Sequence, residues 1–374
     1  MPRTKSKSRS KPEDSSPVSG SLAAFQSHVF AWFATHKRDL PWRESQDPYR
    51  VWISEIMLQQ TQVATVKEYF RRFTAEFPHV SDLAAAEEQQ VLRLWEGLGY
   101  YRRARQLHAA AKEIVERYDG QFPQTVDQIQ SLPGIGRYTA GAIASIAYGQ
   151  KAPILEANTQ RLFARLIGWD HVLSTSASQK RLWQFAEDLL PDHDVGIFNQ
   201  ALMEIGSLVC TPKSPNCSQC PLAVHCQAYQ QGRQDEIPQP KKKIEFIPVT
   251  EIALVVRRKN EVLLRQCGQE ERWAGLWDFP RFTVANEEEL SGVAGQLQEA
   301  SGIEASLGSH VTTIKHGVTK YRITLLCHEM TYQKGRLRPE AGPDGQPRVW
   351  QWRDASHLTD LPLSTTGRKL AKLV

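Results

Sequence analysis

The chain has 374 residues, 41% hydrophobic and 23% charged, which at about 150 residues per domain gives two or three globular domains and excludes a fibrous or wholly disordered protein. Its longest apolar stretches, such as Ala142 to Ala147, fall far short of the roughly 18 residues that span a bilayer. No apolar core of a secretion signal stands in the first 20 residues, so a cytoplasmic, intracellular protein with no membrane partner is expected. Of the net charge of +5, most sits in that same segment, where Arg3, Lys5, Lys7, Arg9 and Lys11 face only Glu13 and Asp14. Overall charge is therefore a weak argument for nucleic acid.

Residues 1–20 are too poor in apolar groups to offset their own ordering entropy and read as a disordered basic arm able to touch DNA phosphates. From 21 to 227 the pattern is helical. Leu107, Ala110, Ala111, Ile114, Val115 and Tyr118 recur at helical spacing, as in many segments around them. The stretch Val51 to Thr61 is an apolar, helix-like run interrupted by one acid, Glu55. A carboxylate among Trp52, Ile56 and Leu58 is costly without a partner, and desolvation moves its pKa toward that of a general acid.

Further on, Leu132-Pro133-Gly134-Ile135-Gly136 lies between a helical stretch ending near Ile129 and another running from Thr139 to Ala147. Gly134 and Gly136 permit positive φ and a close backbone approach, and the helix N-terminus that follows is an anion site. The strongest signal is Cys210, Cys217, Cys220 and Cys226, close enough in sequence for four thiolates to meet at one centre. Thiolate chemistry alone leaves open a structural zinc or an iron–sulfur cluster. Cys267 and Cys327 lie alone in strand-like apolar runs and read as core residues.

Residues 228–248 turn polar, with Pro238, Pro240 and the run Lys241 to Lys243, and read as a linker. After it the period becomes two, in Ile252 to Val256, Val262 to Leu264 and Tyr321, Ile323, Leu325 and Cys327, interrupted by a helical patch from Glu287 to Ala300. Residues 249–374 are thus expected to form a small α+β domain on a sheet. The architecture is an all-α domain followed by that sheet domain.

The cysteine spacing resembles the loop of the endonuclease III and MutY branch of the helix-hairpin-helix DNA glycosylases. That resemblance implies a [4Fe–4S] cluster rather than zinc, with a basic loop meeting DNA in which Lys213 contacts phosphate. The glycine turn then becomes the helix-hairpin-helix phosphate clamp, with Gly134 and Gly136 at the DNA. Relatives that also cut the strand carry a Schiff-base lysine where this chain has Tyr138, so a monofunctional glycosylase without true lyase action is implied.

The run around Glu55 resembles the MutY motif whose glutamate protonates N7 of adenine, and Leu155-Glu156-Ala157-Asn158-Thr159-Gln160-Arg161 resembles the segment that bears the sugar-stabilising aspartate. Here Glu156 replaces aspartate, and a misplacement of about 1 Å can cost roughly 100-fold in rate. By the same resemblance Arg38, Leu40, Trp42, Tyr138 and Gln200 hold the flipped adenine, Tyr100 of Gly97-Leu98-Gly99-Tyr100-Tyr101 wedges into the duplex beside the opposing base, and Gln60 fills the gap near the lesion. Trp273 to Pro280 is similar to the start of a MutY Nudix-like domain. Its Nudix box is broken, with Gly295-Gln296 and Glu299-Ala300 where paired acids belong, so DNA reading rather than pyrophosphate hydrolysis is implied. Val318-Thr319-Lys320 stands where the family carries an 8-oxoguanine sensor, with Thr319 keeping the hydroxyl. The implied protein is a monomeric base-excision glycosylase that removes adenine opposite 8-oxoguanine or guanine in double-stranded DNA. Two alternatives stay open: a catalytically weak lesion-binding protein of this descent, and an endonuclease III-like enzyme for oxidised pyrimidines.

Overall fold

The computed structural model describes Val18 and residues 20–240, 245–284, 287–338, 340–341 and 347–374. The lysine run Lys241 to Lys243 and most of the expected arm lie outside these residues. Within that arm Val18 is buried, 6% exposed, in the helical core, so the expected boundary at residue 20 shifts: an apolar side chain, unlike the lysines before it, gains by packing.

The chain divides into two compact units. The first takes the chain up to Glu55, then Pro123–Ser131 and Ile135–Lys241; the second takes Ile56–Phe122, Leu132–Gly134 and Lys242–Val374. The boundary between Glu55 and Ile56 falls inside one continuous helix, Pro48–Leu58.

The first unit is built on the helices Leu22–His36, Arg137–Tyr148, Ala157–Leu166, Ser176–Asp188 and Val195–Leu208. Phe25, Val29 and Phe33, spaced by four, put one stripe of the first helix into a core with Phe163, Phe185, Phe198 and Ile205. Gly206 lets the helices Ala157–Leu166 and Val195–Leu208 meet: a Cβ there would lie 2.9 Å from the Asn158 side chain, closer than packed carbon atoms come. The segment read as a linker corrects one boundary. Ala228 and Ile237 are buried in this same core, 0% and 1% exposed, so the helical unit continues past Gln227.

The second unit joins four helices, Val63–Glu76, Val80–Ala85, Glu88–Trp95 and Arg102–Tyr118, to the sheet. In Arg102–Tyr118 the residues Leu107, Ala110, Ala111 and Ile114 are buried as their spacing predicts. Val115, at the edge of the stripe, is 38% exposed instead. The strands include β1 (Ile247–Arg258), β2 (Glu261–Gln266), β3 (Trp277–Asp278), β4 (Arg281–Val284), β5 (Ile303–Val318) and β6 (Tyr321–Gly335), with a later strand, Trp350–Asp354, paired to β2. They run in the order β3-β2-β1-β6-β5, with β1 and β6 parallel and β4 paired to β1.

Alternation along β1 feeds two cores. Ile252, Leu254 and Val256 face Val293 and Leu297, whereas Ala253 and Val255 face Leu358, Leu363 and Leu370. The helical patch expected from Glu287 is a 3-10 turn, Glu287–Gly292, and the α-helix begins only at Val293. Cys327 lies in β6, but Cys267 follows β2 rather than lying in it; both are buried. Replacing Ile237→Ala is expected to cost about 2–5 kcal/mol in denaturant unfolding. A loss under about 0.5 kcal/mol, the level of a surface site, would restore the linker reading.

Candidate active site

The helix Pro48–Leu58 carries Glu55 on its buried side, 5% exposed. Tyr138, in the first turn of Arg137–Tyr148, donates its hydroxyl to Glu55 Oε2 at 2.5 Å and lies 3.4 Å from Met203 Sδ. Burial pushes the Glu55 carboxyl up to about 7; the Tyr138 hydrogen bond opposes this, the nearby Glu156 charge adds to it, and Arg43 opposes it. The phenol of Tyr138 is itself held well above its ordinary range by burial and by the Glu55 charge. Near neutrality this pair therefore holds a proton on the acid, which suits a general acid.

Glu156 sits one residue before the helix Ala157–Leu166 and caps it. Its carboxylate accepts from Asn158 N at 2.8 Å, Thr159 N at 2.9 Å and Asn158 Nδ2 at 3.2 Å, while the Thr159 hydroxyl receives Glu156 N. A helix N-terminus favours an anion at this place. Burial raises the Glu156 pKa, and the two backbone amides act against that. Arg161 braces the cap from below, reaching Asn158 Oδ1 at 3.0 Å, Gly206 O at 2.6 Å and Cys210 O at 2.7 Å.

Beside them stands a residue that sequence reasoning missed. Glu204, 1% exposed, takes Arg38 Nε at 2.7 Å and Nη2 at 2.9 Å, Arg38 N at 3.0 Å and Arg43 Nη2 at 3.0 Å. Burial alone would raise its pKa, but these donors outweigh burial and hold it below the usual carboxylate range. One acid in the apolar run Ala201 to Leu208, and a second arginine in Arg38 to Arg43, are the only sequence signals of this triad. Leu40 and Trp42 are buried around the short turn Pro41–Arg43, and Gln200 bonds to Gly196 O at 3.2 Å.

The residues expected at DNA fall mostly in the second unit. Gln60 and Tyr100 both adopt positive φ, 58° and 48°, at exposed turns. Arg103, also unforeseen, ties those turns together through Ile56 O and Gln59 O, both at 2.6 Å, and Gly99 O at 3.2 Å. Gly134 has φ 76°, and a Cβ there would meet the Gln106 side chain at 2.7 Å. Gly136 starts the helix that bears Tyr138. Thr319, φ 51°, is at the exposed tip between β5 and β6. Lys213 is exposed.

Cys210, Cys217, Cys220 and Cys226 line one small cavity with Arg165 and Leu166. Four cysteine thiols on one cavity are a donor set that fits a four-thiolate metal centre. Burial pushes the Cys220 and Cys226 thiols up to about 12 and about 11; deprotonation would accompany cluster binding. Arg165 donates to Cys210 Sγ at 3.3 Å.

Comparison with known proteins agrees with this geometry. Residues 53–188 match the model of the HhH-GPD superfamily base excision DNA repair protein, 210–226 the iron-sulfur binding domain of endonuclease III, and 252–373 the NUDIX domain. A thermostable thymine-DNA glycosylase of solved structure is 30% identical over 56% of this chain and 97% of its own, with a TM-score of 0.52. The fold and site are those of a base-excision DNA glycosylase, a DNA-binding enzyme with a [4Fe–4S] cluster and a Nudix-like C-terminal domain.

Among relatives, the adenine DNA glycosylase of Homo sapiens is 44% identical over 94% of this chain and 74% of its own length. That of Buchnera aphidicola (subsp. Schizaphis graminum) is 37% identical over 70% and 76%, and that of Mus musculus 40% identical over 70% and 52%. The chain belongs to the MutY family of adenine DNA glycosylases.

Because the folded Glu55 binds its proton more tightly than the unfolded one, the native state gains nothing from its ionisation and stability falls as pH rises from about 4.5 through about 7. Glu55→Gln should abolish that loss and be more stable than the native chain at pH 8, by on the order of 2 kcal/mol. Equal or lower stability of the variant at pH 8 in denaturant unfolding would contradict a desolvated acid.

Proposed function

We propose that this enzyme removes adenine from double-stranded DNA where adenine faces 8-oxoguanine or guanine, acting as a monomer and leaving an abasic site without cutting the strand. The observation that carries the reading is the coupled set of Glu55, Tyr138 and Glu156: one carboxyl that burial lifts to about 7 beside a second, at a helix cap, whose oxygens accept from two backbone amides. Two carboxyl groups in different surroundings match the cleavage of a glycosidic bond, one serving the leaving group and the other the sugar.

The adenine is flipped out and faces Arg38, Leu40, Trp42, Tyr138 and Gln200, with the two arginines held in place by Glu204. Glu55 gives its proton to N7 as the bond from C1′ breaks and its electron pair passes to the base. The Glu156 carboxylate, reoriented little because its cap fixes it, stabilises the oxocarbenium-like sugar. Water then adds to C1′, and its proton returns to Glu55. The extra methylene of Glu156 is accommodated because the side chain reaches its own helix amides at ordinary hydrogen-bond lengths. Cys210, Cys217, Cys220 and Cys226 would hold the cluster, and binding it would order the loop from which Lys213 meets phosphate. Gln60, Tyr100 and Thr319 read the opposing base. Tyr138 offers a phenol where an amine would be needed for an imine, which supports the absence of lyase action.

Single-turnover adenine release from a duplex with one 8-oxoguanine·adenine pair should be fast in the native chain, fall at least about 100-fold in Glu55→Gln and Glu156→Gln, and largely persist in Glu156→Asp. Native binding without release, switched on by Glu156→Asp, would establish the lesion-binding alternative. The rate constant should decline above about pH 7 as Glu55 loses its proton; a rate flat to pH 9 would remove Glu55 as the acid. Borohydride should trap no covalent complex, and a trapped adduct would revive the endonuclease III-like reading.

A further inference from the structure

The turn that carries Tyr100 is rooted on the C-terminal domain by one nearly dry ion pair. The helix Glu88–Trp95 ends at Glu96, and the next four residues form the turn, with Gly97, Gly99 and Tyr100 all at positive φ. The Glu96 side chain is 9% exposed and that of Arg368, in the helix Thr365–Ala371, 18%. Arg368 Nε meets Glu96 Oε1 at 2.6 Å and Nη2 meets Oε2 at 2.9 Å. The same guanidinium donates to Leu358 O at 2.7 Å and Leu361 O at 2.6 Å, and Leu363 N donates to Glu96 Oε2 at 3.2 Å. The backbone of Glu96 is held as well, its carbonyl accepting the Tyr69 hydroxyl at 2.6 Å. A flanking pair of contacts repeats the attachment, Gln89 receiving Trp277 Nε1 at 3.1 Å and donating to Gly275 O at 2.9 Å.

The path from Arg368 to the β5–β6 tip is equally continuous. Leu370, two residues on, lies in one core with Leu363 and with Ile323 and Leu325 of β6, against which Val318 and Tyr321 pack. Those last two residues bracket Thr319 and Lys320 and pair across the hairpin. A rigid chain of packed and bidentate contacts thus runs from the hairpin tip to the root of the Tyr100 turn. A single loose or solvated link would dissipate a displacement, whereas a desolvated two-point ion pair fixes both distance and angle.

We propose that Arg368, through Glu96, is a positioning residue for lesion preference: it makes the Tyr100 turn and the β5–β6 hairpin one body, so that the base met by the hairpin alters how Tyr100 sits. The inference rests on the lesion-reading role given above to Thr319 and Tyr100.

The test compares native enzyme, Arg368→Ala, Arg368→Lys and Glu96→Gln in single-turnover adenine release opposite 8-oxoguanine and opposite guanine. Each variant should lose at least about fivefold of the ratio between the two rates, the lower end of ordinary coupling between sites, with the rate opposite guanine within about twofold of native. An unchanged ratio, or two rates falling in parallel, overturns the proposal. Should Arg368→Ala fail to fold, Arg368→Lys, which keeps the charge and loses the fork, decides in the same way. Amide hydrogen exchange of residues 97–101 gives a readout apart from activity: it should quicken in each folded variant, and unchanged exchange overturns the coupling. If the native enzyme shows no preference between the two mispairs, the lesion reading itself fails, and the exchange experiment alone then judges the link.

Discussion

The chemistry of the helical unit depends on keeping one carboxyl out of water. Glu55 lies in a helix otherwise given to core packing, and its surroundings supply a neutral phenol rather than a cation at bonding distance. Had Arg43 reached it directly, the acid would have become a permanent anion, because a guanidinium at bonding distance outweighs burial, as the Glu204 carboxylate shows. Glu204 thereby has a second effect: by engaging Arg38 and Arg43 it keeps two positive charges near the site yet away from the acid. Burial raises the other carboxyl too, but its partners differ. Glu156 is stabilised by amide dipoles, which hold an anion without contributing a mobile proton.

How much of this is legible in sequence follows from how local each interaction is. The cysteine set is readable because its ligands lie within one short loop, and the Glu55 helix because one acid interrupts an apolar run. The sheet is readable through strict alternation, which in β1 feeds two separate cores. Glu204 is not readable, since Arg38 and Arg43 lie 166 and 161 residues away in sequence. Arg103 hides in a basic helix start that looks solvated, although its guanidinium collects carbonyls from the turn just before it and from Ile56 and Gln59, 47 and 44 residues away. Ile237 hides because prolines and lysines surround it, and composition averages over the one side chain that packs.

The two compact units also sort the proposed roles. Groups assigned to the departing base, Glu55, Tyr138, Glu156, Arg38 and Gln200, belong to the first unit, and those assigned to the opposing strand, Gln60, Tyr100 and Thr319, to the second. Sequence reading drew a line between a helical and a sheet domain, but contacts place the helices of residues 56–122 with the sheet. Apolar periodicity reports which face of an element is buried, not which neighbour buries it. The Glu96–Arg368 pair is what such a pattern cannot foresee, because both partners look like surface charges until a partner removes the water.

A last consequence attaches to the cap of the helix Ala157–Leu166. Under the proposed mechanism a single side chain both finishes a helix and faces the reacting sugar, so two separate selective pressures act on position 156. Asparagine, serine and threonine satisfy only the first, being good helix caps without charge. A lineage drifting to one of them would retain a well-folded protein that holds its cluster and grips damaged DNA, with the chemistry gone. Such a protein would shield the mispair from other repair, and surveys of abundance, solubility or DNA affinity would score it as intact.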